Sequence, residues 1–219
     1  MLNLFNRKKI QIDTISFPTF EFTSENNQPD YKSWLSEDNP MRLSINFFEM
    51  QPDIPTINDV QELRNFYREQ IIEANGGIIE VEIVDLKGFK AIKTIFKFPM
   101  EPSGIMYLGS YTIPFKRYSF VIKIQANEAG ITGMRDATIM NNLLAENKTS
   151  NDEFIPKNWL NDPYDKNCKK GTMMNLSEDQ KYDSDFPNHP LSLTRKMLKK
   201  IAEEIKFDSK LENIGKFNI

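Results

Sequence analysis

The stretch GIIEVEIVDLKGFKAIKTIFKFP, residues 77–99, alternates apolar and polar side chains on both sides of Lys87-Gly88. Alternation of this kind indicates half-buried strands, and a glycine-containing pair between two such runs predicts a hairpin turn. In that register Glu82 lies opposite Lys93, a favourable charge pair, and a slip of one residue would bring mismatched faces together. The apolar pairs of the predicted hairpin are Ile83 with Ile92 and Ile79 with Phe96.

A second hairpin is predicted in residues 104–125, where two more alternating runs flank a turn at Phe115-Lys116. The predicted pairs are Ile113 with Tyr118, Tyr111 with Phe120 and Tyr107 with Ile124 on one side, and Thr112 with Ser119 and Leu108 with Lys123 on the other. We expect four antiparallel strands that share one apolar face, which a helix covers. Residues 8–17 and 41–50 also look like strands, separated by a polar connection.

Three segments carry apolar residues at helical spacing. The first, residues 56–77, begins with capping oxygens and ends at two glycines. The second, residues 133–147, follows Thr132 as the expected N-cap, and the third, residues 189–207, has Ser192 in that role. The expected buried residues are Val60, Leu63, Tyr67, Ile71 and Ala74 in the first helix, Ala137, Met140, Leu143 and Leu144 in the second, and Leu193, Met197, Leu198, Ile201 and Ile205 in the third.

The composition indicates a globular protein, and the predicted elements indicate an α+β fold: an antiparallel meander flanked by helices, with a long C-terminal loop and helix. The chain has 219 residues, of which 39% are hydrophobic and 27% charged. We predict a single domain spanning residues 1–219. It divides into a core of residues 8–146, a polar wrapping segment of residues 147–190, and a C-terminal helix of residues 191–207 followed by a tail.

The net charge, the cysteine content and the lengths of the apolar runs argue against several classes of partner and site. A net charge of −3 and the absence of a basic stripe argue against nucleic acid. The single cysteine, Cys168, excludes a disulfide framework or a thiolate zinc site within one chain. No apolar run is long enough for a membrane span, and the N-terminal run is too short for a signal peptide, so we expect a cytoplasmic protein.

The stretch GITGMRDA, residues 130–137, raises the question of a phosphate-binding loop. It lacks the Gly-Lys-Ser/Thr ending of a P-loop and the glycine pattern of a dinucleotide site, and the strand before it belongs to an antiparallel meander. A plain corner before a helix is the favoured interpretation. Arg135 either pairs with a nearby strand residue or projects towards a partner.

Few residues offer chemistry. His189 is the only histidine, and with Asp183 and Asp185 it could form a hydrolytic or metal site. It also precedes a proline at a helix start, where the ring could simply pack or bind a backbone carbonyl. No serine-nucleophile motif occurs, and Cys168 has no second histidine to act as its base. We therefore predict no catalytic residue, no metal and no cofactor.

The three stretches GFKAIKTIFKFP, GIMYLGSYTIPF and RYSFVIKIQANEAGITGMRDA resemble the PsbP-like α/β/α sandwich superfamily over about residues 57–146. That superfamily includes a photosystem II subunit, a Ran-binding protein and the bacterial chaperones that load type VI secretion effectors. The resemblance implies a non-enzymatic binder. Such chaperones hold apolar helices on an apolar sheet face, whereas the free face predicted here is mostly polar, so either the C-terminal region covers it or its ligand is polar.

The leading hypothesis is a non-catalytic bacterial protein-binding module: a chaperone, an adaptor or an immunity protein for a secreted effector or toxin. The alternatives are an enzyme that uses His189 with Asp183 or Asp185, and a scaffold subunit of a larger assembly. The predicted partner surface comprises the free sheet face and the corner, namely Lys93, Ile95, Lys97, Leu108, Val121, Lys123, Gln125, Arg135 and Asp136.

Overall fold

The computed structural model describes residues 9–147 and 155–217. The strands are β1 (Ile15–Ser16), β2 (Thr23–Asn27), β3 (Tyr31–Leu35), β4 (Met41–Phe48), β5 (Gly77–Leu86), β6 (Phe89–Pro99), β7 (Ile105–Pro114), β8 (Ser119–Asn127), β9 (Leu160–Asn161), β10 (Met174–Asn175) and β11 (Lys206–Phe207). The α-helices are α1 (Val60–Glu73), α2 (Met134–Asn147) and α3 (Pro190–Glu204). None of the helices in these residues combines the length and apolar character that crossing a bilayer requires.

The predicted α+β class is confirmed. A seven-stranded antiparallel sheet has the order β2-β3-β4-β8-β7-β6-β5, and β1 with β11 and β9 with β10 form two small pairs. Helix α1 packs on β5, and helix α3 packs on β7 and β8. Strands β2 and β3 were not predicted, because β2 is entirely polar and β3 is a short run of five residues, and both fall in the expected connection.

The first hairpin has the predicted register at its turn, and the second does not. Ile83 pairs with Ile92 as expected, but a bulge after Ile78 makes Phe96 pair with that residue instead of its neighbour. In the second hairpin the turn is wider than two residues, so Ile113 pairs with Phe120 and the predicted register is wrong by two positions. A shift of two keeps every side chain on its predicted face.

The apolar faces of the two hairpins point to opposite sides of the sheet. Ile92 of β6 pairs with Thr112 of β7, and Lys93 pairs with Tyr111. The expected single apolar face is therefore wrong: β5 and β6 bury one set of residues under α1, and β4, β7 and β8 bury another under α3. The link between β6 and β7 sets this offset, and its geometry has no signature in the alternation of either hairpin.

Helix starts also differ from the predictions. Asp59 caps α1 by accepting hydrogen bonds from two backbone N–H groups, within the expected capping segment. Helix α3 is capped by His189, whose Nδ1 accepts from the N–H of Leu191, and not by Ser192, which lies inside the helix. Helix α2 starts directly after Gly133, so Thr132 is not its cap.

Residues 155–189, which we call the wrapping segment, cross the β5 edge of the sheet; residues 148–154 of the predicted polar segment lie outside the described part. Tyr164 Oη accepts from the backbone N–H of Val81 at 2.9 Å and so occupies an edge position of β5. Asp162 receives two hydrogen bonds from Arg68 of α1, at 2.8 and 3.1 Å. The segment is thus attached to both the helix and the sheet.

Gly109 lets α3 lie close to β7. A methyl group at this position would stand 2.5 Å from Thr194 Cγ2 and 2.9 Å from Leu198 Cδ1. We expect Gly109→Ala to lower the free energy of unfolding by about 1–3 kcal/mol, because overpacking forces the helix away from the sheet. Urea unfolding measures this. Gly215→Ala is the matched control, since its new methyl group meets only Lys116, at 3.4 Å; an equal loss in both variants would contradict the close packing.

Asp162 gives the wrapping segment a pH-dependent attachment. Burial by itself would raise the pKa of this carboxyl, but hydrogen bonds from Arg68 and from the N–H groups of Tyr164 and Asp165 outweigh burial and lower the pKa. The stabilisation is therefore fully present above about pH 4 and is lost as the pH falls through the folded-state pKa.

We expect Asp162→Asn to reduce the free energy of unfolding at neutral pH by about 2–4 kcal/mol, because Arg68 keeps a buried, uncompensated charge. The dependence of stability on pH below about pH 5 should also flatten. Chemical unfolding across the acid range tests both effects. Asp185→Asn, at an exposed aspartate, is the control, and an unchanged acid slope in Asp162→Asn would rule out this attachment.

Candidate functional site

The residues predicted to contact a partner do not form one surface. Lys93, Ile95 and Lys97 lie on the α3 side of the sheet, whereas Leu108, Val121, Lys123 and Gln125 lie on the α1 side. The prediction of a single free face is therefore wrong, because one half of these residues lies on the α3 side of the sheet and the other half on the α1 side. This follows from the offset between the two hairpins.

The α3 half is covered by the C-terminal region. Ile95 has no exposed surface and belongs to the core under α3. Lys93 forms an ion pair with Glu80 at 2.6 Å, and Lys97 is 3% exposed, with its Nζ 2.7 Å from Glu178. Ile95 and Lys97 cannot contact a partner while this cover is in place.

Glu178 is the centre of a buried polar cluster. Its carboxylate is fully buried and accepts from Lys97 Nζ at 2.7 Å, from the backbone N–H of Asn175 at 2.8 Å and from Tyr107 Oη at 2.9 Å. Burial raises the pKa of Tyr107 well above its ordinary value, and the negative charge of Glu178 acts in the same direction. The tyrosine hydroxyl therefore stays protonated and serves as a donor.

Arg135 is buried, contrary to the hypothesis that it projects towards a partner. It is 1% exposed and donates from Nε to the carbonyl of Ser177 at 2.7 Å and from Nη1 to Ser192 Oγ at 2.9 Å. Its Nη2 reaches the carbonyl of Asp179 and the carboxylate of Asp183, both at 3.1 Å. The guanidinium thus joins α2, the wrapping segment and α3, which is a structural role.

Asp136 is also engaged within the fold. Its two carboxylate oxygens accept from the side chains of Asn175 and Ser177. The corner at the start of α2 is therefore a plain structural corner, as the sequence favoured, and its two predicted contact residues hold the wrapping segment in place.

His189 does not meet the aspartates with which it was grouped. Its Nε2 lies 3.3 Å from Glu128, and its Nδ1 accepts the N–H of Leu191, so both ring nitrogens have partners. Asp183 instead binds Arg135 and Arg195. Within residues 9–147 and 155–217 no three histidine, cysteine or acidic side chains are grouped as a metal site would require.

Two opposing effects act on the pKa of Glu128, the partner of His189. Burial would raise the pKa of Glu128, but hydrogen bonds from His189 and from the backbone N–H groups of Gly133 and Ile105 prevail and lower the pKa. The carboxylate is thus ionised and fixed by several donors. A base or acid in catalysis would need a free oxygen and a reachable substrate, and this pair instead fixes the start of α3.

The α1 half of the predicted surface is only partly covered by the residues that the structure describes. Leu108 and Val121 are only partly buried and belong to neither hydrophobic core. Lys123 has no ion-pair partner among the residues that the structure describes. The open sheet face, as we call it, consists of Arg42, Asn46, Leu108, Val121, Lys123 and Gln125 on β4, β7 and β8.

Two residues of the open sheet face were missed from the sequence. Arg42 and Asn46 belong to a stretch that was predicted as a strand, and their alternation with the buried Leu43 and Ile45 carried the signal. The sequence predicted β4 as a strand but did not predict that it lies beside β8 in the sheet. Arg42 also donates to Glu25 of β2 at 2.8 Å, so the edge strand supports this face.

No known protein family and no curated protein matches this chain. Among solved structures, the Ran-binding protein Mog1p of Saccharomyces cerevisiae is similar at 9% identity and a TM-score of 0.45, over 89% of this chain and 90% of that one. A mutant of the protein Mog1 gives 11% identity and a TM-score of 0.41, over 90% and 93%. A Pseudomonas aeruginosa protein of unknown function gives 10% and 0.33, over 59% and 95%. Likenesses at this level carry no argument about what the chain binds.

Lys97→Met tests the buried cluster. The substitution leaves the Glu178 carboxylate buried without its cation, and we expect the free energy of unfolding to fall by about 3–5 kcal/mol. Adding Glu178→Gln removes the stranded charge, so the double variant should be more stable than the single one by about 1–3 kcal/mol.

The measurement is urea unfolding of the single and double variants. The control is Lys199→Met, which makes the same lysine-to-methionine change at an exposed position of α3. It should change the free energy of unfolding by no more than about 0.5 kcal/mol. If the double variant were no more stable than Lys97→Met, the ion pair would not be what keeps Glu178 in the core.

Proposed function

We propose that this chain is a non-catalytic protein-binding module whose open sheet face receives the partner. The observation that carries the proposal is the contrast between the two sides of β7 and β8. One side is closed by α3, while the other leaves Leu108 and Val121 outside both cores. Side chains of this kind gain from burial against a second molecule.

The side chains of the open sheet face indicate which groups a partner would bring to it. Apolar side chains lie between amide and cationic groups. Non-obligate protein interfaces have a similar mixture of apolar and polar side chains. Lys123 supplies a positive charge that an acidic group of the partner would pair with, whereas the positive charge of Arg42 is already shared with Glu25. The next strand adds Leu35, which is 37% exposed and also lies outside both cores.

The non-catalytic part of the proposal is supported by the state of the candidate groups. Both ring nitrogens of His189 are used within the fold, and Asp183 is held by two arginines. A hydrolytic role would require these groups to face a substrate. They instead fix the junction of the wrapping segment with α3.

Within this proposal, the chain would act as a chaperone, an adaptor or an immunity protein for a secreted effector or toxin, as the PsbP-like resemblance implies. Membership of that superfamily stays a prediction, supported by a helix on each face of an antiparallel sheet. Salt dependence separates the roles. An immunity complex held by charge would weaken steeply with salt, whereas a chaperone complex held by apolar contacts would not.

The test is affinity capture from extract of the native cells on immobilised protein. We expect one partner to be retained in stoichiometric amount by the wild-type chain, and retention to fall by about tenfold or more with Val121→Glu/Lys123→Glu, because the substitution places charge in the contact. Lys116→Glu/Arg117→Glu, at the exposed β7–β8 turn, is the matched control and should retain the partner.

The thermal unfolding temperature of each variant confirms that the fold is intact. Either of two results would overturn the proposal: no stoichiometric partner on the wild-type chain, or a partner that binds the open-face variant and the wild type equally.

A further inference from the structure

A second surface lies on the opposite side of the sheet from the open sheet face. It is a groove of about 870 Å³ between the β5–β6 hairpin and α3. Tyr111 forms its floor, and the tyrosine hydroxyl is already used, since it donates to the carbonyl of Leu198 at 3.1 Å. Recognition in this groove therefore depends on its walls.

The walls are basic. The lining includes five cationic side chains and three carboxylates. The cationic side chains are Lys87, Lys93, Arg195, Lys196 and Lys199, and the carboxylates are Asp85, Asp183 and Glu203. This surplus of positive charge contrasts with the net charge of −3 for the whole chain.

Most of the negative charge in the lining is already engaged. Asp183 is bound by Arg135 and Arg195, and Asp85 accepts the backbone N–H of Gly88 at 2.8 Å. By contrast, three of the lysines have no ion-pair partner among residues 9–147 and 155–217. These are Lys87, Lys196 and Lys199. The groove thus presents cations that an incoming anionic group could pair with.

Arg195 provides a fixed point in this wall. Its side chain is 10% exposed, and its Nη1 and Nη2 bind Asp183 and the carbonyl of Glu178 at 2.9 and 2.8 Å. Lys196 and Lys199 follow on the same helix and are exposed. A rigid helix therefore displays a row of charges along one wall, and the hairpin places Lys87 across from it.

The shape favours an extended ligand. Sites for small molecules enclose most of the ligand surface, whereas this groove opens to solvent between a helix and a hairpin. An extended polypeptide can lie in such a groove and place acidic side chains against both walls. Charge complementarity would also accelerate its association.

We propose that this groove binds an acidic segment of a partner polypeptide through Lys87, Lys196 and Lys199. The surface is separate from the open sheet face, so the proposal does not depend on the function proposed above. Of the residues predicted from sequence to contact a partner, Lys93 lies in this groove.

The experiment uses fluorescence anisotropy with the full chain and a labelled peptide of alternating glutamate and alanine. We expect binding that weakens as sodium chloride is raised, and a loss of affinity of about tenfold or more in Lys196→Glu/Lys199→Glu. Lys116→Glu/Arg117→Glu changes the net charge by the same amount away from the groove, and should stay within about twofold of the wild type. Val121→Glu/Lys123→Glu should also leave peptide binding unchanged, which separates this proposal from the preceding one.

Three outcomes would overturn the proposal. The first is the absence of peptide binding to the wild-type chain. The second is an equal loss of affinity in the groove variant and in the turn variant, which would indicate general charge attraction. The third is inorganic tripolyphosphate binding more tightly than the peptide with the same dependence on Lys196 and Lys199, which would assign the groove to a small polyanion.

Discussion

The fully buried carboxylate of Glu178 is the constraint around which the fold is organised. A charge in such a position is tolerated only when it is paired and its remaining acceptor sites are filled. Lys97 of β6, Tyr107 of β7 and a backbone N–H of the wrapping segment meet this requirement together. These contacts link the sheet to the wrapping segment, because breaking them would leave a buried charge without a partner.

The same cluster explains why the two sides of the sheet differ. Arg135 extends it from the wrapping segment to α3, and Asp136 adds two further hydrogen bonds to that segment. Helix α3 is thus held over β7 and β8 by polar contacts at one end and by apolar packing along its length. On the α1 side, the helix lies against β5, and no comparable attachment crosses to β4 and β8 within the described residues. Strands β7 and β8 are therefore covered by α3 on one side, whereas the open sheet face is only partly buried on the other.

The sequence predicted the three helices and β4 to β8, but it missed β2 and β3, predicted a longer β1 than Ile15–Ser16, and predicted the relations between elements poorly. Alternation identified β5 to β8 and the pairing of Ile83 with Ile92, because neighbours along a hairpin determine those features. It could not reveal on which face each hairpin would bury its apolar residues. The candidate site suffered most. Lys97 resembles a solvent-facing strand lysine, and nothing near it in the chain indicates that Glu178 will neutralise it. His189 likewise meets Glu128 only through the tertiary fold. For Leu108 and Val121, alternation along each strand was enough to assign the side of the sheet, and their contact with a partner stays a prediction.

The strand order also determines when the fold can be completed on a ribosome. Strand β4 pairs with β8, and β1 pairs with β11 near the other end of the chain. The nascent β4 therefore emerges long before its partner, with Leu43, Ile45 and Phe47 uncovered. Its early neighbours β2 and β3 are only five residues long each, and β2 is entirely polar, so they can cover little of that surface. We expect translation to expose an intermediate with an uncovered apolar strand, which a holdase chaperone would shield until β8 is synthesised.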